Sequence, residues 1–220
     1  MELLIVLMEQ KQVLEVIKLL KGEYPNAKYY LNFKTPEQLL VAAILSAQCR
    51  DEVVNATTQE LFKKYTSPKD FSEADLEELI KDISNITFAG NKARNIISAN
   101  KILVEKHNSK VPKTIEELTA LPGIGDKTAT TILINAYKIV NLIAVDTHVI
   151  RLSYRLGWTK NKNPDKIEKD LERIIPKEDW AKVTWLLKTH GRTICLAPNP
   201  YCNKCFLNKL CPKNGVLKKL

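Results

Sequence analysis

Three groups of residues in this chain have the types and the spacing to do chemistry. The first is Lys127, which follows Leu121-Pro122-Gly123-Ile124-Gly125-Asp126 and precedes Thr128-Ala129. Pro122 fixes one φ, and Gly123 and Gly125 permit positive φ or close backbone approach, so this stretch predicts a hairpin between two helices. Lys127 then stands in the first turn of the second helix. There the macrodipole opposes a cation by about 0.3–1 kcal/mol. The same field favours the neutral amine, which is a nucleophile where the ammonium is not. A solvated surface lysine is the plainer alternative. The free N–H groups that open this helix also suit a phosphate oxygen.

The second group is Asp146, within Val145-Asp146-Thr147-His148. Its position before an apolar-periodic run marks it as a helix N-cap, worth about 1 kcal/mol. The third is Cys195, Cys202, Cys205 and Cys211, spaced C-x6-C-x2-C-x5-C. Four thiolates within so short a loop can close round one metal centre, either tetrahedral zinc or a [4Fe–4S] cluster. Lys204 falls inside the loop and can present charge to phosphates. The fifth cysteine, Cys49, reads as a small buried hydrophobe. The three histidines are too scattered to form a metal motif.

The elements around these groups read as helices throughout. Apolar positions repeat at helical spacing over 8–20, ending near Gly22. Thr35-Pro36-Glu37-Gln38 supplies an N-cap, a Pro at the first helical position and a Gln three residues on. The helix it opens runs to about Ser46 and is apolar enough to be buried on most sides. Asp51 is the expected cap of the next, over 53–65, closed by Ser67-Pro68. Ser72 is expected to cap a helix through Leu76, Leu79 and Ile80. A turn at Thr87-Phe88-Ala89-Gly90 precedes a helix over 92–104. Thr114 and Glu117 form a capping box upstream of the hairpin, and Ala129, Ile132, Leu133 and Ala136 continue the helix after it. Residues 142–145 form a candidate short buried strand, followed by helices from Asp146 to Gly157, over 164–175 and over 180–187. The expected fold is all-α.

Composition is that of an ordinary globular chain: 220 residues, 45% hydrophobic and 27% charged, with a net charge of +9. Between Ala181 and Leu220 there is no Asp or Glu, while Lys182, Lys188, Arg192, Lys204, Lys209, Lys213, Lys218 and Lys219 supply eight positive charges. A polyanionic partner fits this excess. The apolar run from Leu3 to Met8 is too short to span a bilayer and lacks the features of a signal peptide. The expectation is a cytoplasmic protein with no membrane segment.

Taken together, the hairpin with Lys127, Val145-Asp146-Thr147-His148, His190-Gly191-Arg192 and the cysteine loop resemble the endonuclease III family of DNA glycosylases. The motifs stand in that family's order and spacing over nearly the whole chain. The resemblance implies two helical lobes with a DNA groove between them. One is a six-helix barrel with the helix-hairpin-helix, here 30–137. The other, 1–29 with 138–220, carries a [4Fe–4S] cluster on the four cysteines. It implies Lys127 as the nucleophile and Asp146 as the essential carboxylate. Gln48 would fill the space left by an extruded nucleotide and Phe88 would be an apolar wedge. Gly123, Gly125, Thr128, His148 and Lys204 would contact DNA. A monovalent cation would sit on the carbonyls of Thr119, Leu121 and Ile124. The implied protein is a monomeric, nucleoid-associated glycosylase and AP lyase acting on oxidised pyrimidines in duplex DNA. Two alternatives stand beside it: a mismatch or 8-oxoguanine glycosylase on the same scaffold, and a non-catalytic DNA-binding module with structural metal.

Overall fold

The computed structural model describes residues 2–140 and 142–216, with side chains from residue 10 onward. Lys218 and Lys219 of the basic tail lie outside the described residues. The helices are α1 (Glu2–Glu23), α2 (Pro36–Ser46), α3 (Asp51–Lys64), α4 (Pro68–Ser72), α5 (Leu76–Asp82), α6 (Ala89–Lys106), α7 (Ile115–Thr119), α8 (Asp126–Ile132), α9 (Thr147–Arg155), α10 (Pro164–Ile174) and α11 (Trp180–Thr193). Among the described residues there is no strand. Residues 142–145 are therefore not the strand that their apolar run suggested. Ile143 is fully buried, but the segment finds no partner for a ladder. No helix of the described residues is long and apolar enough to cross a membrane.

The chain divides into two compact units, one of residues 29–139 and one from the segments on either side of it. The 29–139 unit is built round α2, whose residues Leu39 to Leu45 are all buried. It packs against α3, α6 and α8. Its start is fixed by Thr35, whose hydroxyl accepts the Gln38 N–H at 3.3 Å, while Gln38 Oε1 accepts the Lys34 N–H at 2.8 Å. The first bond satisfies one of the amide donors that a helix start leaves open, and the second ties the residue before the cap to the first turn.

Several boundaries depart from the sequence expectation for local reasons. Asp51 is the first helical residue of α3 rather than its cap; Arg50 takes that place without a side-chain bond. Ser67 does more than close α3. It caps the short helix α4, with its hydroxyl on the Asp70 N–H and Asp70 Oδ2 on the Ser67 N–H. Ser72 ends α4, and Asp75 caps α5 by accepting the Glu78 N–H at 2.9 Å. α6 begins at Ala89, so Ala89 and Gly90 are helical rather than part of a turn. After Ile132 the ladder widens to a π-helical turn, Leu133–Tyr137. There Asn135 Nδ2 donates to the Thr131 carbonyl at 2.7 Å.

The second unit buries Val13, Val16, Ile17 and Leu20 of α1 with Val149 and Leu152 of α9, Ile167 and Leu171 of α10, and Val183 and Leu187 of α11. α1 packs on α10 and α11, and α9 packs on the same two helices.

Candidate functional site

The hairpin is Ala120 to Gly125. Thr114 caps α7 by accepting the Glu117 N–H at 3.3 Å, and its hydroxyl donates to Glu117 Oε2 at 2.8 Å. Gly123 takes φ +83, a value that needs glycine, and a Cβ there would lie 2.9 Å from Asn95 Nδ2 of α6. Gly125 is different. Its φ is −99, it stands at the N-cap of α8, and nothing lies within 4 Å of the place a Cβ would take. Among the described residues no contact requires a glycine there. Lys127 is exposed in the first turn of α8, and its amine has no hydrogen bond or ion pair among the described residues. Thr128 beside it is half-buried.

Gln48 and Phe88 share a backbone property that the sequence did not disclose. Both are exposed, and both are left-handed, with φ 53 and φ 60. Phe88 is 59% exposed and stands at the N-cap of α6. One α6 turn further on, the buried Lys92 donates from Nζ to the Leu45 carbonyl at 2.8 Å and the Ala47 carbonyl at 2.6 Å. These carbonyls end α2 immediately before Gln48. Burial holds the Lys92 amine below its ordinary value.

In the other unit, Asp146 caps α9 as its sequence context requires. Its Oδ1 accepts the His148 N–H at 2.8 Å and the Val149 N–H at 2.9 Å. The carboxylate is half-buried. Burial lowers the His148 imidazole below its usual range, with the Asp146 charge pulling the other way. Arg151 Nη2 lies 3.2 Å from His148 Nδ1 and donates to the carbonyls of Gly191 at 3.0 Å and Cys195 at 3.2 Å. Gly191 is required for this approach, because a Cβ would meet His148 Nδ1 at 2.7 Å.

The four loop cysteines line one pocket, walled by Leu152, Leu156 and Leu207. All are free thiols. No three His, Cys, Asp or Glu side chains among the described residues are gathered closely enough to hold a single ion. The donor set nevertheless suits a cluster that spreads its thiolates: four sulfurs, an apolar wall and two polar side chains directed at sulfur. Arg155 reaches Cys195 Sγ at 3.2 Å and also donates to the carbonyls of Leu196 at 2.7 Å and Ala197 at 2.6 Å. His190 places Nε2 3.5 Å from Cys205 Sγ and Nδ1 2.9 Å from the Tyr24 hydroxyl. Burial pushes the Cys205 thiol up to about 11 and the His190 imidazole down to about 4. Lys204 is exposed on the loop, 5.8 Å from the centre of the Tyr201 ring. Arg151, Arg155 and Lys92 carry no signal of this role in the sequence, and His190 entered there only within a motif of the resemblance.

Residues 41–177 match the family described as HhH-GPD superfamily base excision DNA repair protein. The chain is 43% identical over 204 residues to endonuclease III of Synechocystis sp., covering 93% of each chain. It is 42% identical over 203 residues to endonuclease III of Bacillus subtilis, covering 89% of this chain and 92% of that one. A solved structure of a trapped endonuclease III–DNA covalent intermediate superposes with a TM-score of 0.84 at 40% identity, over 93% of this chain and 96% of the other. The chain belongs to the endonuclease III family of the HhH-GPD superfamily, a family of base excision repair DNA glycosylases and AP lyases.

Proposed function

We propose that this protein binds duplex DNA carrying damaged bases or abasic sites and removes oxidised pyrimidines of the thymine glycol type through a Schiff base at Lys127. One observation carries the lyase assignment: in a chain of this family, Lys127 offers an exposed amine, without a partner among the described residues, directly behind the hairpin. The neutral amine attacks C1′ of the deoxyribose, the C1′–N bond breaks, and the base leaves with the electron pair and takes up a proton. The C1′–O4′ bond of the resulting aminal then breaks, O4′ takes up a proton, and the open-chain iminium so formed acidifies the C2′ proton. Loss of that proton expels the 3′ phosphate with the C3′–O electron pair and cuts the strand. Water then releases the sugar aldehyde and frees the lysine.

Asp146 takes the proton from the lysine and offsets positive charge on the sugar. Its cap bonds to two amides fix the carboxylate at the start of α9. Gly123, Gly125 and Thr128 meet a phosphate at the hairpin, and the open space round Gly125 supports close approach of a group from outside the chain. His148 and Lys204 contact the DNA backbone. The nucleotide must leave the stack, so Phe88 enters as the wedge and Gln48 occupies the vacated space. The carbonyls of Thr119, Leu121 and Ile124 hold a monovalent cation.

Residues 30–137 form the barrel domain with the helix-hairpin-helix, and 1–29 with 138–220 form the cluster domain. Cys195, Cys202, Cys205 and Cys211 would hold a [4Fe–4S] cluster, which when bound supplies metal–sulfur cross-links and a one-electron couple. The protein acts as a monomer on cytoplasmic, nucleoid DNA.

The test is borohydride trapping on a duplex with one thymine glycol. The wild type is expected to give a covalent protein–DNA band that Lys127→Ala abolishes. Intact DNA binding without a wild-type band overturns the assignment in favour of a glycosylase that does not cut, or of a binding module.

A further inference from the structure

Helix α6 touches each hairpin or turn of its unit that is assigned to DNA. It carries Phe88 at its N-terminus, Asn95 against Gly123 of the hairpin, and Lys92 against the end of α2. Lys92 is the unusual member. It is a lysine only 5% exposed, in an all-helical unit where a leucine would bury more cheaply. Its amine makes two short bonds, both to main-chain carbonyls, at Leu45 and Ala47. These are among the carbonyls that the end of α2 leaves without a helical partner, and they form the negative end of its dipole. The next residue is Gln48, held at φ 53. Four residues before Lys92 stands Phe88, and the Lys92 N–H itself donates to the Phe88 carbonyl at 3.1 Å.

We propose that Lys92 is a positioning residue that couples Gln48 to Phe88, so that the residue filling the vacated space and the residue opening the stack enter the duplex in fixed register. This rests on the assignment of Gln48 and Phe88 above. Lys92 touches neither the substrate nor the reacting atoms. Its backbone fixes the turn bearing Phe88 and its side chain fixes the turn bearing Gln48. Extrusion needs both at once, and freedom in one turn relative to the other lowers the share of encounters that reach the reactive geometry. In either protonation state the amine has the two N–H groups that the two carbonyls require.

The experiment is a double-mutant cycle on the full chain, read as the single-turnover rate of strand cleavage at a thymine glycol in duplex DNA. The variants are Lys92→Met, Gln48→Ala and the pair. Each single change is expected to slow cleavage by about tenfold or more. The pair is expected to be no slower than Gln48→Ala alone, because Lys92 acts through that residue. Lys92→Arg, which keeps a donor of similar reach, is expected to recover most of the rate. Multiplying losses in the double variant would assign Lys92 to general stability and overturn the proposal, as would an undiminished rate in Lys92→Met. If Lys92→Met melts below the assay temperature, Lys92→Gln enters the cycle with the same two outcomes. An inactive wild type would instead refute the lyase assignment, and an undiminished Gln48→Ala would refute the role given to Gln48.

Discussion

Asp146 combines a structural and a chemical role in one carboxylate, and two substitutions separate them. Its Oδ1 accepts the amides of His148 and Val149 at 2.8 and 2.9 Å. Asparagine keeps an oxygen in that place and is as good an N-cap as aspartate. What Asp146→Asn loses is the charge at the positive end of the α9 dipole, about 0.3–1 kcal/mol. Asp146→Ala loses the cap itself, about 0.5–2 kcal/mol, in addition. For a chain of this size each kcal/mol lowers the melting temperature by about 2–4 °C. The Asn variant should therefore melt within about 4 °C of wild type and the Ala variant clearly lower. Activity should not follow that order. Removal of a proton acceptor and charge stabiliser costs about 10²–10⁴ in rate whichever residue replaces it. The assay is differential scanning calorimetry beside single-turnover cleavage of a thymine glycol duplex. An Asp146→Asn protein that cleaves within threefold of wild type would refute the reasoning and leave Asp146 as a helix cap only.

Arg155→Met removes a buried guanidinium that holds three successive carbonyls and one sulfur of the cysteine loop; hydrogen bonds to a charged group are worth about 1.5–3 kcal/mol each in favourable cases, so a loss of several kcal/mol is expected. Thermal melting checks it; unchanged melting contradicts the bracing role. Gly123→Ala places a Cβ at φ +83 and 2.9 Å from Asn95 Nδ2, costing about 1–3 kcal/mol. It should weaken binding to a duplex with a stable abasic analogue, measured by fluorescence anisotropy, whereas wild-type affinity would show that the hairpin backbone is not engaged.

The sequence disclosed most where one residue type has one physical use. Thr35, Thr114 and Asp146 announced helix starts because a short side-chain oxygen before an apolar run reaches the first free amides of the helix. The lost boundaries were those where neighbouring candidates compete. Ser67 and Ser72 bracket α4, and the second ends it while Asp75 caps the next helix. The π-helical turn at Leu133–Tyr137 was illegible because its apolar spacing is that of an α-helix to within one residue. The supports of the candidate site were hidden for a different reason. Lys92, Arg151 and Arg155 are charged residues in amphipathic helices, and such residues are usually solvated. Only the fold shows that they turn inward to carbonyls distant in sequence.

Left-handed residues divide these turns further. Asn108 and Ser109 follow the end of α6, Lys138 follows the π-helical turn, and Gly157 follows α9. All occupy the place where helices commonly finish in that conformation. Gln48 follows α2 in the same way, so helix termination alone accounts for its φ. Phe88 has no such account. It precedes a helix, where caps are normally extended, and it is aromatic, which makes φ 60 cost about 1–2 kcal/mol. Its ring is mostly in solvent, so packing returns little of that cost. Backbone strain without local compensation is found where a side chain must be aimed at something outside the chain. Of the two residues assigned to the DNA stack, Phe88 is thus the one whose conformation itself argues for insertion. Gln48 depends on its neighbour, through Lys92, to be in the same place at the same time.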